Sequence, residues 1–173
     1  MTATRTLATL AVAATSAAAT AALLMAPAAQ AATATSSATA ATTAAPQSAP
    51  IVWGPSYAPG RAAKAAGKLT ATGEDHADLP TADVVSVSGT IQDSTRSASC
   101  GWAVFRITYR SGSNLPNRNH SVLDCSYRTP KHFSFKYHDV YQVELKVCSG
   151  ARAAKPSLNC LYAGTWKTLY LSK

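Results

Sequence analysis

Four cysteines, at positions 100, 125, 148 and 160, constrain the fold of this chain more than any other feature. An even number of cysteines in a small exported protein is typical of a domain held together by disulfides. Three pairings are possible, and we expect Cys100 to pair with Cys125 and Cys148 with Cys160, because each pair then brackets one connection between strands. Pairing across two sheets, for example Cys100 with Cys148, is the main alternative. Each predicted disulfide would stabilise the fold by about 3 kcal/mol by restricting the unfolded chain.

The spacing of the cysteines argues against a metal site. Tetrahedral zinc sites usually place two ligands within a few residues of each other. Here the successive cysteines are separated by 25, 23 and 12 residues. We therefore expect the chain to bind neither a metal nor an organic cofactor.

The N-terminal residues have the pattern of a secretory signal peptide. Arg5 is followed by an uncharged, mainly apolar run over residues 7–25, and Ala29 and Ala31 supply the small residues that a signal peptidase reads. We predict a signal peptide over residues 1–31, cleavage after Ala31, and a secreted, extracellular protein with no transmembrane anchor. An uncleaved anchor is the alternative, but the run is rich in alanine and threonine and only weakly apolar.

Residues 32–80 are predicted to form a disordered linker. Residues 32–50 consist almost entirely of Ala, Thr, Ser and Pro, and such a segment cannot offset the entropy lost on ordering. Residues 51–79 carry Trp53 and Tyr57 among several prolines and glycines, so we expect them to be loosely held. The folded domain is then predicted to span residues 81–173.

Beyond Pro80 the apolar residues alternate with polar ones, which is typical of half-buried β-strands. The alternation predicts about six strands, no helix and a turn near His138 and Asp139. The predicted fold is an all-β, monomeric domain: a small antiparallel β-sandwich of immunoglobulin-like or Greek-key type, or a partly open barrel. A domain of this size has a marginal core, so the two disulfides would add needed stability.

Charge suggests a binding surface. The chain has a formal net charge of +8, and twelve of its sixteen basic residues but only five of its eight acidic residues lie between residues 81 and 173. Such a balance favours a secreted, non-catalytic binding module for anionic cell-envelope polymers or for an extracellular protein. An ordinary solvated sheet face is the alternative. From the alternation, the candidate binding residues are Trp102, Arg106, Arg110, His132, Lys136 and Lys146.

Two other functions fit the residue types. The segment 149–159 between two cysteines could be the rigid loop of an extracellular enzyme inhibitor, with Arg152 and Lys155 presented to a trypsin-like site. A small ribonuclease could combine histidine, carboxylate and arginine as acid, base and phosphate ligand. No Gly-x-Ser-x-Gly motif is present, and we expect a protein without catalytic residues. The residues considered for the ribonuclease are His120, His132, His138, Asp124, Asp139 and Glu144.

Overall fold

The computed structural model describes residues 49–173, so the predicted signal peptide and residues 32–48 of the predicted linker lie outside the described part. The described chain forms seven strands, one 3-10 turn and one short helix. Their bounds are β1 (Ile51–Tyr57), the 3-10 turn (Pro59–Arg61), β2 (Ala63–Glu74), β3 (Ala82–Asp93), β4 (Ser99–Tyr109), β5 (Asn117–Asp124), β6 (Lys131–Ala151), α1 (Leu158–Tyr162) and β7 (Lys167–Leu171). Among these residues no helix has the length and apolarity needed to span a membrane.

All neighbouring strands pair antiparallel in one sheet of order β1-β2-β3-β6-β4-β5, with β7 added to β6. The long strand β6 is shared by two halves of the sheet. Its first half pairs with β3, and its second half pairs with β4 and β7. Strands β2 and β3 contact β4 across the core, so the two halves pack face to face. The predicted all-β antiparallel fold is confirmed. Residues 81–173 form five strands where the sequence predicted about six, and β1 and β2 lie in the predicted linker.

The predicted turn near His138 and Asp139 is wrong, because β6 runs through both residues without interruption. Asp139 adopts a φ of 53°, a left-handed conformation that Asp tolerates better than most residues. It lies where β6 changes partner, and its carbonyl oxygen accepts a hydrogen bond of 2.8 Å from the backbone N–H of Arg110. The residues His138 and Asp139, which suggested a turn, therefore lie at a bend within one strand.

Aromatic side chains fill the core around two facing glycines. Trp53, Gly67, Gly89 and Phe133 lie opposite one another in successive strands from β1 to β6. A Cβ atom added to Gly67 would collide with the Trp53 ring, and one added to Gly89 would come within 3.1 Å of Phe133. The two rings stack over the glycines with centroids 6.3 Å apart, and both contact Phe105 of the opposite half. The glycines thus make room for the rings that join the two halves.

The prediction of a disordered linker as far as residue 80 is wrong for the residues that form β1 and β2. Trp53 is only 4% exposed, and Ala63, Ala65 and Leu69 are completely buried. These side chains share one core cluster with Val87 and Phe105, so β1 and β2 belong to the folded domain. The large rings of other strands fill the core volume, and this allows β2 to contribute mainly small side chains.

The structure contains the disulfides Cys100–Cys125 and Cys148–Cys160, the pairing favoured by the sequence. The first joins the start of β4 to the residue that follows its partner strand β5. The second joins β6 to α1, a helix that the sequence analysis did not predict. The short strand β7 follows α1 after a loop of four residues.

Asp75 holds the connection between β2 and β3 against the end of β4. Its Oδ1 atom accepts hydrogen bonds from the backbone N–H groups of Thr81 (2.9 Å) and Ala77 (3.4 Å), and its Oδ2 atom forms a 2.6 Å ion pair with Arg110. Arg110 also donates to the carbonyl oxygen of Leu79 at 2.9 Å. The hydrogen bond from Thr81, aided by those of Arg110 and Ala77, lowers the pKa of Asp75 from 3.8 to about 2.

Because the pKa of Asp75 is lower in the folded than in the unfolded state, its contribution to stability is present above about pH 4 and is lost as the pH falls towards 2. We expect Asp75→Asn to flatten the dependence of unfolding free energy on pH in this window. Urea unfolding of both proteins at pH 5, 3.5 and 2.5 would measure it. Equal pH dependence in the two proteins would contradict this role of Asp75.

Candidate functional site

The outer face of β2, β3 and the first half of β6 carries exposed cations and hydroxyl groups, and we call it the lysine face. Its side chains point away from the core because they alternate with buried residues such as Leu69, Val87 and Ile91. The cationic or titratable members are Lys64, Lys68, His132, Lys136 and His138, all exposed. The hydroxyl-bearing members are Thr70, Thr72, Ser86, Ser88, Thr90 and Ser134.

Strand register places these residues in rows across the three strands. One row is Thr70, Ser86 and Lys136; the next is Lys68, Ser88 and Ser134; the third is Ala66, Thr90 and His132. Neighbouring strands lie about 4.8 Å apart and residues rise about 3.4 Å, so the backbones at Lys68 and Lys136 are about 12 Å apart. No acidic residue belongs to these three rows.

A shallow depression of about 570 Å³ lies in the middle of the lysine face. Lys68 and His132 line it from either side, with Ser88 and Thr90 between them. Val52 of β1, which is 82% exposed, borders it at the edge of the sheet. The depression therefore presents two separated basic groups with hydroxyls between them, an arrangement suited to a ligand with repeated negative charge.

The structure divides the six residues that the sequence grouped into one binding surface. His132 and Lys136 lie on the lysine face. Trp102, Arg106 and Lys146 lie on the other half of the sheet, facing α1, and Arg110 is held by Asp75 and Leu79. The grouping into one surface was wrong because β6 bends at Asp139, so its two halves belong to different halves of the sheet.

Lys146 is a buried structural residue and not part of an exposed surface. It is 6% exposed, and its ammonium group donates to the carbonyl oxygens of Leu161 (3.0 Å), Ala163 (2.9 Å) and Gly164 (3.4 Å). These carbonyls lie at the C-terminal end of α1, where a cation satisfies free acceptors. Burial, together with the nearby charge of Arg106, lowers the pKa of Lys146.

Trp102 and Arg106 also support the segment that contains α1. Trp102 is 2% exposed and packs in a second cluster with Val104 and the Cys148–Cys160 disulfide. The guanidinium group of Arg106 bonds to Glu144 across the strands and lies 4.6 Å from the centroid of the Trp166 ring, which Lys146 approaches at 4.7 Å. Alternation correctly predicted that these side chains leave the core, but Trp102 is buried against the α1 disulfide and Arg106 is partly covered by Trp166.

Arg152 and Lys155, the residues of the possible inhibitory loop, are both exposed. The predicted loop 149–159 is shorter than expected because β6 continues to Ala151 and α1 begins at Leu158. The Cys148–Cys160 disulfide joins the two ends of this segment. Its exposure is compatible with an inhibitory loop and equally with an ordinary surface turn.

Two of the three carboxylates considered for a ribonuclease, Asp124 and Glu144, have structural partners. Asp124 is 3% exposed and accepts hydrogen bonds from the backbone N–H groups of Asp93 and Ser126, both at 2.9 Å. Glu144 is paired with Arg106. Asp139 is exposed at the bend of β6. None of these three contacts gives a carboxylate the position of a general base beside a histidine.

The three histidines considered for a ribonuclease lie in two environments. His132 and His138 are exposed on the lysine face. His120 is a half-buried residue of β5. Its ring stacks on Phe135 with centroids 3.9 Å apart, and its Nδ1 atom lies 3.3 Å from the hydroxyl of Tyr137. Burial lowers the pKa of His120, which favours the neutral imidazole.

Lys64 and Lys68 were not among the predicted binding residues, because residues 32–80 were expected to form a linker. The sequence pattern that could have identified them is the alternation of Ala63, Ala65, Leu69 and Ala71 with lysine and threonine. This two-residue period is typical of a strand. Among the residues that the structure describes, no group of three or more His, Cys, Asp or Glu side chains could hold a metal ion. Comparisons of the chain with protein-family models, with curated proteins and with solved structures found no match.

Proposed function

We propose that this protein is a secreted, non-catalytic module that binds anionic polymers, such as the phosphate-bearing polymers of a cell envelope, through its lysine face. The observation that carries the proposal is the set of rows in which Lys68, His132 and Lys136 stand exposed without an acidic neighbour. Clustered cations on a surface attract polyanions and speed their association. The predicted signal peptide and the two disulfides support export to an oxidising compartment.

The arrangement of the face also supports a polymer in preference to a small anion. The backbones at Lys68 and Lys136 are about 12 Å apart, with hydroxyl-bearing residues between them, so the basic groups are spread across the face and not gathered in one pocket. A chain with repeated charge can contact them in turn. The hydroxyls of Ser88 and Ser134, which lie between the basic groups, can donate hydrogen bonds to the same chain.

Charge reversal tests the proposal. We expect Lys68→Glu combined with Lys136→Glu to weaken binding to polyphosphate by about tenfold or more at low salt, since two attractive contacts become repulsive. The matched control is Lys155→Glu combined with Lys167→Glu, which changes the net charge equally at exposed positions outside the face. Binding would be measured by fluorescence anisotropy with labelled polyphosphate. Equal weakening by both pairs would show that net charge, and not the lysine face, governs binding.

A further inference from the structure

A second concave site lies between the end of β1 and α1, and we call it the α1 groove. It has a volume of about 590 Å³, within the usual range for small-molecule sites. Residues 57–59 form one wall, and α1 with the residues that follow it forms the other. Strand β6 supplies the floor through Lys146, Val147 and Cys148. The groove shares no residue with the lysine face.

The walls of the α1 groove are fixed before any ligand arrives. The Cys148–Cys160 disulfide ties α1 to the floor, and the ammonium group of Lys146 binds three carbonyl oxygens at the end of α1. On the opposite wall, the guanidinium group of Arg61 lies 5.0 Å from the centroid of the Tyr57 ring. A preformed site loses little conformational entropy on binding, which favours affinity for a small ligand.

The chemistry of the lining indicates the class of ligand. Tyr57, which is 45% exposed, offers an aromatic ring, and the floor includes the apolar residues Val147 and Cys148. Ser149, Asn159 and Thr165 add two hydroxyls and one amide, which can both donate and accept hydrogen bonds. The only charged side chain in the lining is Lys146, and its three N–H groups are all used by carbonyl oxygens. The lining itself therefore offers a ligand no free charged group, and Arg61, which lies against the Tyr57 ring, is not part of the lining.

We propose that the α1 groove binds an uncharged carbohydrate. A pyranose ring has an apolar C–H face that packs on an aromatic ring, and hydroxyl groups around its edge that pair with amides and hydroxyls. These two features match the ring of Tyr57 and the polar groups of Ser149, Asn159 and Thr165. The site would give the protein a second ligand whose binding does not depend on the charge of the lysine face.

The test uses three neutral trisaccharides as probes, namely maltotriose, mannotriose and tri-N-acetylchitotriose, added to the purified secreted protein. We expect at least one to shift backbone amide NMR signals of residues 57, 58 and 159–165 in a saturable manner. The affinity is expected to fall about tenfold or more in Tyr57→Ala, since the aromatic contact is lost. Tyr162→Ala is the matched control, because Tyr162 is 81% exposed and does not line the groove.

Asn159→Leu gives a second variant of similar side-chain size that cannot pair with a sugar hydroxyl, in case Tyr57→Ala fails to fold. The proposal is overturned if none of the three sugars shifts groove signals at about 20 mM, or if Tyr57→Ala and Asn159→Leu bind as well as the original protein. The Lys68→Glu and Lys136→Glu variant should retain sugar binding at both low and high salt. A failure to bind sugars at the α1 groove can therefore be distinguished from a failure to bind polyphosphate at the lysine face.

Discussion

Replacement of Trp53 by alanine is expected to lower the free energy of unfolding by about 3–5 kcal/mol, the usual cost of removing a buried aromatic side chain. The expected loss is large because Trp53 stacks on Phe133 and contacts the edge of Phe105, whose centroid is 5.8 Å away. It also covers Gly67, where no other side chain can fill the space. Urea or thermal unfolding followed by circular dichroism would measure the change.

Val52→Ala is the matched control for Trp53→Ala. Val52 is the preceding residue of β1 but is 82% exposed, so its truncation is expected to change stability by less than about 0.5 kcal/mol. A loosely held segment would give small effects at both positions. An unchanged stability in Trp53→Ala would therefore contradict the assignment of β1 to the folded core.

Replacement of Lys146 by methionine is expected to destabilise the protein by about 2–4 kcal/mol. Methionine preserves the length of the side chain, but three carbonyl oxygens lose the ammonium group that satisfies them, and unpaired buried acceptors are costly. The gain from no longer burying a charge offsets part of this loss. The Trp166 ring also loses one of its two cationic neighbours.

Most of the effect of Lys146→Met is expected to be local to α1. The backbone N–H groups of Leu161 and Ala163 donate within the helix to Ser157 and Asn159, and their hydrogen exchange reports whether the helix remains formed. Exchange at these two amides is expected to accelerate more than exchange in β3. Lys155→Met, at an exposed position, is the control. Unchanged exchange and stability in Lys146→Met would mean that the ammonium group does not hold α1.

The sequence predicted the parts of the fold in which large apolar residues alternate with polar ones. The alternation around Val85 and Val87, and around Phe105 and Ile107, corresponds to β3 and β4. Strand β2 was missed because its inward side chains are mostly alanine, which carries little β propensity. These small side chains leave space in the core, and the rings of Trp53, Phe105 and Phe133 from other strands fill that space.

The candidate site could be predicted only in part for a related reason. A period of two residues tells which side chains leave the core, and it did so correctly for Lys136 and Lys146. It does not tell what covers them outside the sheet. Lys136 remains exposed, whereas α1 covers Lys146, and a five-residue helix gives almost no periodic signal. The bend of β6 at Asp139, which separates these two lysines, depends on the pairing of strands far apart in the chain.

The salt dependence of polyphosphate binding tests the proposed function most directly. If the lysine face binds the polymer, the logarithm of the association constant falls linearly with the logarithm of salt concentration, because each lysine contact releases bound counterions. Lys68→Gln combined with Lys136→Gln is expected to reduce the magnitude of the slope of this log–log plot by about 1–2. The matched pair Lys155→Gln and Lys167→Gln should leave the steepness unchanged. A salt-independent affinity, or the same steepness with and without Lys68 and Lys136, would contradict the account.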